Sequence, residues 1–472
     1  MKRNFSWLLM WIAVATLFVG CQNRSERTIV ILSTNDMHSQ IDGFPALASA
    51  VKMCRDTADV ILVDGGDKFT GNAFVDLVEY HTPIFELMNK LEYDVSVYGN
   101  HEFDWGTAYI SKAVEQAKFD NILANVVNDS ADFVMPKPYS IVECGGLKVA
   151  FVGVVGNDDG GHPSGKASSY EGLTFINPDD CAAEYRHLKD ECDMLILLSH
   201  AGDLRDREYA ASKKLNGYDM IIGAHSHEVI DEEVNGIKLT QTGSRLKNIG
   251  AIVVTMTPGG KPQIDHRNIS LKGYSPDEEV AQMVDGYYHN PELTEPIGKV
   301  EKEFSTMALQ NLFTSTIRDA SGADIGIYNS GGIRLDKFPE GDINTATILN
   351  VEPFSSRIAL LKMTTDQLKT MIITKFNDKV NIGESHYIDL NCSAPYTVIT
   401  GKSGDAVDVI FPTLKSGKIY TVAMGDYVAQ NYKGLDGVEM EITETKVAQV
   451  LKDYVCSQSS IKPDNTKYQI IK

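Results

Sequence analysis

From residue 28 onward the apolar residues come in compact blocks rather than in strict alternation. "TIVILS", "ADVILVD", "YDVSV", "LKVAFVGVV", "CDMLILLS" and "YDMIIG" are rich in Val, Ile and Leu. Their length and composition fit strands buried on both faces. Between some of them lie segments with the spacing of amphipathic helices, "FPALASAVKMCRD" and "TAYISKAVEQAK". Strand followed by helix, repeated, predicts a layered α/β domain. "IKLTQTG" and "GAIVVTMT" read as a last strand pair that closes this domain, 28–271. Residues 272–299 are acidic and contain three prolines, and they read as a linker with room for one helix. The region 300–472 has its own helical patterns ("TMALQNLFTSTIRDA", "TDQLKTMIITKF", "ETKVAQVLKDYV") and apolar runs ("ADIGIYN", "RIALLKM", "AVDVIF", "IYTVAM"). It reads as a smaller α+β domain.

Five of the blocks run directly into residues that bind metals or move protons. "TIVILSTN" leads to Asp36 and His38, "ADVILVDGG" to Asp67, and "YDVSVYG" to Asn100 and His101. "CDMLILLS" leads to His200, and "YDMIIGA" to His225 and His227. Ligands of α/β sheets gather at the carboxyl ends of strands, so these side chains are expected to converge. In an extended segment residues i and i+2 point the same way, which aims Asp36 with His38, and His225 with His227, at one place. Nitrogen and carboxylate ligands together suit Zn²⁺ or Mn²⁺ and exclude neither Fe nor Co. The set exceeds what one ion takes; two ions sharing the carboxylate of Asp67 is the economical arrangement.

Charge sharpens this picture. The 472-residue chain carries a formal net charge of −20, which argues against a nucleic-acid partner. An acidic surface also repels anionic substrates, so a phosphate site needs local cations. At the start, Lys2 and Arg3 precede a 16-residue apolar run that is short for a membrane span and ends at Cys21. This is the pattern of a secretory signal, 1–20. "LFVGC" resembles a bacterial lipobox with Cys21 as the lipidated residue, and 21–27 is then a tether. The expected location is exported, on the periplasmic side of a membrane or at the cell surface, with a lipid anchor. Of the remaining cysteines, Cys181 and Cys192 share a helical pattern that holds them roughly 16 Å apart, beyond disulfide reach. "GGHPSGKAS" approaches a P-loop, but Ala167 replaces the hydroxyl that Mg²⁺ needs and Pro163 removes a backbone donor. It reads as a surface loop.

The order Asp-x-His, Gly-Gly-Asp, Gly-Asn-His-Glu, His, Gly-x-His-x-His resembles that of the metallophosphoesterases. "STNDMHSQI", "GGDKFTGN" and "GNHEFDWG" are similar to the branch containing exported 5'-nucleotidases and UDP-sugar hydrolases. So are "ADIGIYNSGGIR" and "VEPFSSRIALLKMTTDQLK" in the second region. The resemblance implies one metal on Asp36, His38 and His227, another on Asn100, His200 and His225, and Asp67 between them. It implies that His101, oriented by Asp104, stabilises or protonates the leaving oxygen. No role for Glu102 follows. Two ions about 4 Å apart clamp a phosphoryl group and acidify a water, whose hydroxide attacks in line with the leaving group.

In the second region Arg334 has the planar fork that suits phosphate, within the Asn329-to-Arg334 element that includes Gly332. The resemblance further implies a nucleobase held between two aromatic rings, for which Tyr387 and Tyr432 are the candidates. Val438 follows Gly434-Leu435-Asp436-Gly437, where the family has an aromatic residue. The expected activity is a dinuclear-metal phosphohydrolase, a 5'-nucleotidase acting on nucleoside monophosphates. UDP-sugar hydrolysis, 2′,3′-cyclic-nucleotide phosphodiester cleavage, and a non-catalytic nucleotide-binding lipoprotein are the alternatives.

Overall fold

The computed structural model describes residues 26–158, 160–257, 260–378 and 387–472. The signal and Cys21 lie outside the described residues. The chain forms two compact units, one from the residues up to Thr70 with Val75–His289, the other from Gly71–Phe74 with Asn290–Lys472. Among the described residues no helix is long and apolar enough to cross a membrane.

The first unit contains, in chain order, β1 (Arg27–Thr34), β2 (Val60–Asp64), β3 (Val95–Val97), β4 (Asp120–Ile122), β5 (Val126–Asn128), β6 (Tyr139–Cys144) and β7 (Leu147–Val155). It continues with β8 (Leu173–Phe175), β9 (Met194–His200), β10 (Met220–Gly223), β11 (Val229–Val234), β12 (Ile237–Thr242), β13 (Asn248–Met256) and β14 (Gln263–Ser270). Two six-stranded sheets result, in the orders β14-β13-β1-β2-β3-β4 and β11-β12-β10-β9-β7-β6. The strands β1 to β4 are mutually parallel, as are β7, β9, β10 and β12, and antiparallel strands flank both sets. The short strands β5 and β8 form a separate ribbon.

The sheets stack on a shared apolar layer that includes Ile29, Ile31, Ile61, Phe151, Ile196 and Ile222. The alternate residues of the same strands face outward: Val30 and Leu32 enter a core with the helix Phe44–Arg55, and Leu195 and Leu197 another core. Each central strand is thus apolar on both faces, which explains the continuous blocks in the sequence. The helix Glu278–Tyr287 buries Val280 and Val284 in the core that holds Val30. "IKLTQTG" and "GAIVVTMT" do form β12 and β13 but do not pair. β12 joins β10 and β11 in one sheet, while β13 lies between β1 and β14 in the other.

The second unit is a mixed α+β body. Its five-stranded sheet runs Leu390–Cys392, Ile325–Asn329, Ile419–Gly425, Arg357–Thr364, Met440–Lys446. Apolar layers form on both faces, one containing Ile327, Leu361 and Leu368 of the helix Thr365–Phe376, the other Phe313 of the helix Thr306–Ser321 with Tyr328. The six cysteines Cys54, Cys144, Cys181, Cys192, Cys392 and Cys456 are free thiols. Cys181 lies in the α-helix Pro178–Glu184, and a 3₁₀ segment, Tyr185–Asp190, leads on towards Cys192.

Truncating a side chain in the layer between the sheets leaves a cavity that neither sheet can close. Ile196→Ala is expected to lower stability by about 2–5 kcal/mol, checked by chemical denaturation of a soluble form that lacks residues 1–21.

Candidate active site

The carboxyl ends of β1, β2, β3, β9 and β10 bring Asp36, His38, Asp67, Asn100, His101, His200, His225 and His227 into one cluster. His200 continues the parity of Met194, Ile196 and Leu198, the residues of β9 that face the other sheet, and it is fully buried. The loops after β1 and β2 run side by side: the amides of Asp36, His38 and Ser39 donate to the carbonyls of Gly66, Asp67 and Lys68. The His225 amide donates to the Asp36 carboxylate at 3.0 Å, which fastens the β10 end to the β1 end.

Several of these residues adopt left-handed backbone conformations without being glycine: φ is 50° at Asp36, 49° at His38, 54° at Asp67, 76° at His225 and 59° at His227. The segments Asp36–His38 and His225–His227 are therefore not extended as expected, and left-handed turns rather than strand alternation aim these side chains. Such conformations are costly, and their concentration in one place marks a functional site. Glycine fills a close approach between the loops. A Cβ at Gly66, where φ is 90°, would lie 2.7 Å from the Gly99 amide nitrogen.

Neighbouring carbonyls fix which ring nitrogens face the cluster. His38 Nδ1 donates to the Thr70 carbonyl at 3.1 Å, and His200 Nδ1 to the Gly65 carbonyl at 2.7 Å. Their Nε2 atoms therefore point inward. His200 Nε2 lies 3.2 Å from Asp67 Oδ2 and 3.2 Å from Asn100 Oδ1. His225 Nδ1 lies 2.9 Å from Asn100 Oδ1. On the other side His38 Nε2 faces His227 Nε2 at 2.9 Å, and His227 Nε2 lies 3.5 Å from Asp36 Oδ1. Asp67 Oδ2 is 3.8 Å from His38 Nε2. Among the described residues three overlapping groups bring their ligand atoms within 4.8 Å of one another and could hold a metal ion: Asp36 with His38 and His227, His38 with Asp67 and His101, and Asp67 with His200 and His225. A convergence of carboxylate and amide oxygens with imidazole nitrogens held by backbone carbonyls fits divalent cations.

The protonation pattern agrees with the geometry. Burial opposes charge on His200, but Asp67 and Asp36 outweigh it and raise its pKa to about 10. Burial, and then the charge of His200, lower His225 to about 4. Burial alone would raise Asp67, but His200, His101 and His38 hold it well below the ordinary carboxylate value. The proton on His200 thus acts as counter-charge to two buried carboxylates.

His101 lies at the edge of the cluster. Its Nδ1 donates to Asp104 Oδ2 at 2.8 Å, and the Thr70 hydroxyl donates to the same oxygen at 2.6 Å. Its Nε2 is 3.9 Å from Asp67 Oδ2. Thr70 thus steadies both His38 and Asp104. Sequence reasoning missed it because one of its two contributions is a main-chain oxygen. Asn35, also missed, donates to Asp36 Oδ2 at 2.6 Å and accepts from the Thr242 amide and hydroxyl.

In the second unit Asn329 ends a strand and is buried, and the turn Ser330–Gly332 follows. A Cβ at Gly332 would meet the Tyr328 ring at 2.7 Å and Asn329 Oδ1 at 2.9 Å. The Arg334 guanidinium lies over the Phe354 ring, 5.6 Å from its centroid. Tyr432 donates to Asp389 Oδ2 at 2.5 Å, and Lys375 Nζ stands over the Tyr432 ring at 4.5 Å and 3.7 Å from Asp389. Tyr387 is exposed, and burial of its hydroxyl together with Asp389 raises its pKa to about 12. Asp389 and Lys375 escaped sequence reasoning. The P-loop-like stretch is a loop leading to a 3₁₀ turn, Ala167–Tyr170.

A sandwich of two such sheets, with this residue order at one edge, defines a calcineurin-like phosphoesterase, and residues 29–229 match that family's model. Residues 292–440 match a second model, the 5'-nucleotidase C-terminal domain. The chain belongs to the metallophosphoesterase family that joins these two domains, and it is a hydrolase of phosphoric ester bonds. Members of the family use divalent metals. A 5'-nucleotidase of Vibrio parahaemolyticus is 24% identical over 92% of this chain and 90% of that one. The trifunctional nucleotide phosphoesterase YfkN of Bacillus subtilis is 26% identical over 72% of this chain, which corresponds to 27% of that longer protein. The crystal structure of a 5'-nucleotidase precursor from Thermus thermophilus shares the fold at a TM-score of 0.80 and 19% identity, covering 94% of this chain and 99% of that one.

A cation held at His200 Nε2 would displace the proton there, so metal loading and protonation would compete. Adding Zn²⁺ or Mn²⁺ to metal-free protein near pH 7 is expected to release protons into weak buffer. Affinity measured by calorimetry is expected to rise with pH towards the raised His200 value.

Proposed function

We propose that this chain is an exported, lipid-anchored 5'-nucleotidase that removes phosphate from nucleoside monophosphates with two divalent ions, Zn²⁺ or Mn²⁺. The observation that carries the reading is the inward aim of His38 and His200 Nε2, fixed by the Thr70 and Gly65 carbonyls, into the oxygens of Asp36, Asp67 and Asn100, beside the His101–Asp104 pair. Asp36, His38 and His227 would hold one ion, Asn100, His200 and His225 the other, and Asp67 both. Ions held there supply positive charge against the phosphoryl oxygens and make water more acidic.

The chain's own part is orientation and proton transfer. Asp104 accepts from His101 Nδ1, so an imidazolium at this position is stabilised and oriented to protonate the departing ribose oxygen through Nε2. The Thr70 hydroxyl keeps the Asp104 carboxylate from turning away. Burial of Asp36 and His200 keeps bulk water from screening these charges. In the second unit Arg334, with Asn329 and Gly332 in the turn before it, would hold the phosphate or ribose side of the nucleotide. Tyr387 and Tyr432 would face the base. The name of the Bacillus relative supports a second reading, in which cyclic nucleotides or other nucleotide phosphoesters are also cleaved.

The test is phosphate release from AMP, UDP-glucose and 2′,3′-cyclic AMP by the soluble form with Mn²⁺ or Zn²⁺. Turnover of AMP that a chelator abolishes is expected; chelator-resistant turnover would refute the metal reading. His101→Ala is expected to lower kcat by about 10²–10⁴-fold while bound metal, measured by mass spectrometry, stays the same. Cys21→Ser in the full-length chain is expected to abolish fatty-acid labelling and release the protein from the membrane pellet.

A further inference from the structure

Glu102 and Lys68 lie directly behind the cluster, and both are fully buried. The Glu102 carboxylate accepts three backbone N–H groups from two different loops. Asp67 N donates to Oε2 at 3.0 Å, Lys68 N to Oε1 at 2.6 Å, and Gly99 N to Oε2 at 2.5 Å. Lys68 Nζ sits 3.5 Å from Oε1 and also donates to Ser96 Oγ at 2.9 Å and to the Val97 carbonyl at 3.0 Å. An ammonium without a counter-charge in such a place would be strongly unfavourable, and a carboxylate holding three amides is a strong acceptor.

The two loops meet main chain to main chain. A Cβ at Gly99 would run into the Asp67 carboxylate and backbone, and one at Gly66 into the Gly99 amide. No side chain separates Asp67 from the start of the Asn100–His101 turn, so their spacing depends on what the converging amides bond to. That acceptor is Glu102. The spacing reaches the reacting groups through one further bond, from the His101 amide to Asp67 Oδ1 at 2.9 Å.

We propose that Glu102, charge-balanced by Lys68, is a positioning residue that sets the offset between the Asp67 carboxylate and the His101 imidazole. The inference deepens the phosphohydrolase reading and rests on it for its kinetic consequence. Glu102 touches no substrate. It acts by tying the loop that carries Asp67 to the loop that carries Asn100 and His101.

The experiment compares wild type, Glu102→Gln and the double variant Glu102→Gln with Lys68→Met, all in the soluble form. In metal-free protein the Asp67, Lys68 and Gly99 amides are expected to exchange slowly with solvent deuterium. In Glu102→Gln, whose amide nitrogen cannot accept, at least one of them is expected to exchange about tenfold or more faster. With Mn²⁺ saturating, kcat on AMP is expected to fall by about tenfold or more, with KM within about twofold and metal content unchanged. The double variant leaves no ammonium unpaired, so it is expected to recover thermal stability while kcat and amide protection stay low. A folded Glu102→Gln with unchanged exchange and unchanged kcat would overturn the proposal. So would a double variant that regains kcat together with stability, because that pattern belongs to a purely structural role. If Glu102→Gln does not fold, the double variant alone decides the matter by the same two readouts. If the wild type cleaves no phosphoester, the functional reading falls, and amide exchange alone decides whether the clamp exists.

Discussion

The site depends on a crowding of electron pairs. Oxygens of Asp36, Asp67 and Asn100 and ring nitrogens of His38, His200, His225 and His227 are driven together by strands from two sheets, most of them out of reach of water. Carbonyls behind the His38 and His200 rings hold the Nδ1–H of each turned away from the cluster. The carboxylates of Asp67 and Asp36 bear on His200 strongly enough to raise its pKa to about 10 despite its burial. Much of the surrounding architecture serves to hold this unfavourable convergence: left-handed backbone at the ligands, glycines where loops touch, and the Thr70 and Asn35 contacts.

The fold was readable where burial was greatest. The blocks of β1, β2, β3, β7, β9 and β10 stand out because these strands are buried on both faces, and the two helical patterns near residues 44 and 107 because one face alone is. β11 and β14 escaped because they flank the sheets and carry charged or polar residues through much of their length. The two segments expected as a last strand pair became strands, β12 and β13, but in different sheets, for a related reason. Closeness in sequence suggests pairing, but Leu239 of β12 belongs to an outer layer of one sheet while Ile252 of β13 faces the layer between the sheets.

The candidate site was readable in its side chains and unreadable in its supports. Asp36, Asp67 and His200 announce themselves by following apolar blocks. The Gly65 and Thr70 carbonyls cannot, since every residue has one. Glu102 had no derivable role in sequence because its partners are main-chain amides of residues 34 and 35 positions earlier, and of Gly99 beside it. In the second unit Lys375 and Asp389 meet only through the fold, so neither drew attention beside Tyr387 and Tyr432.

The left-handed conformations of Asp36, His38, Asp67, His225 and His227 have a consequence for how the protein matures. They are built into loops braced by amides and carbonyls, so the mould for the ions is stored in the polypeptide itself. Folding and metal acquisition would then be separable events. A receptor shaped in advance in this way would take ions that reflect what its surroundings offer as much as what the shape prefers.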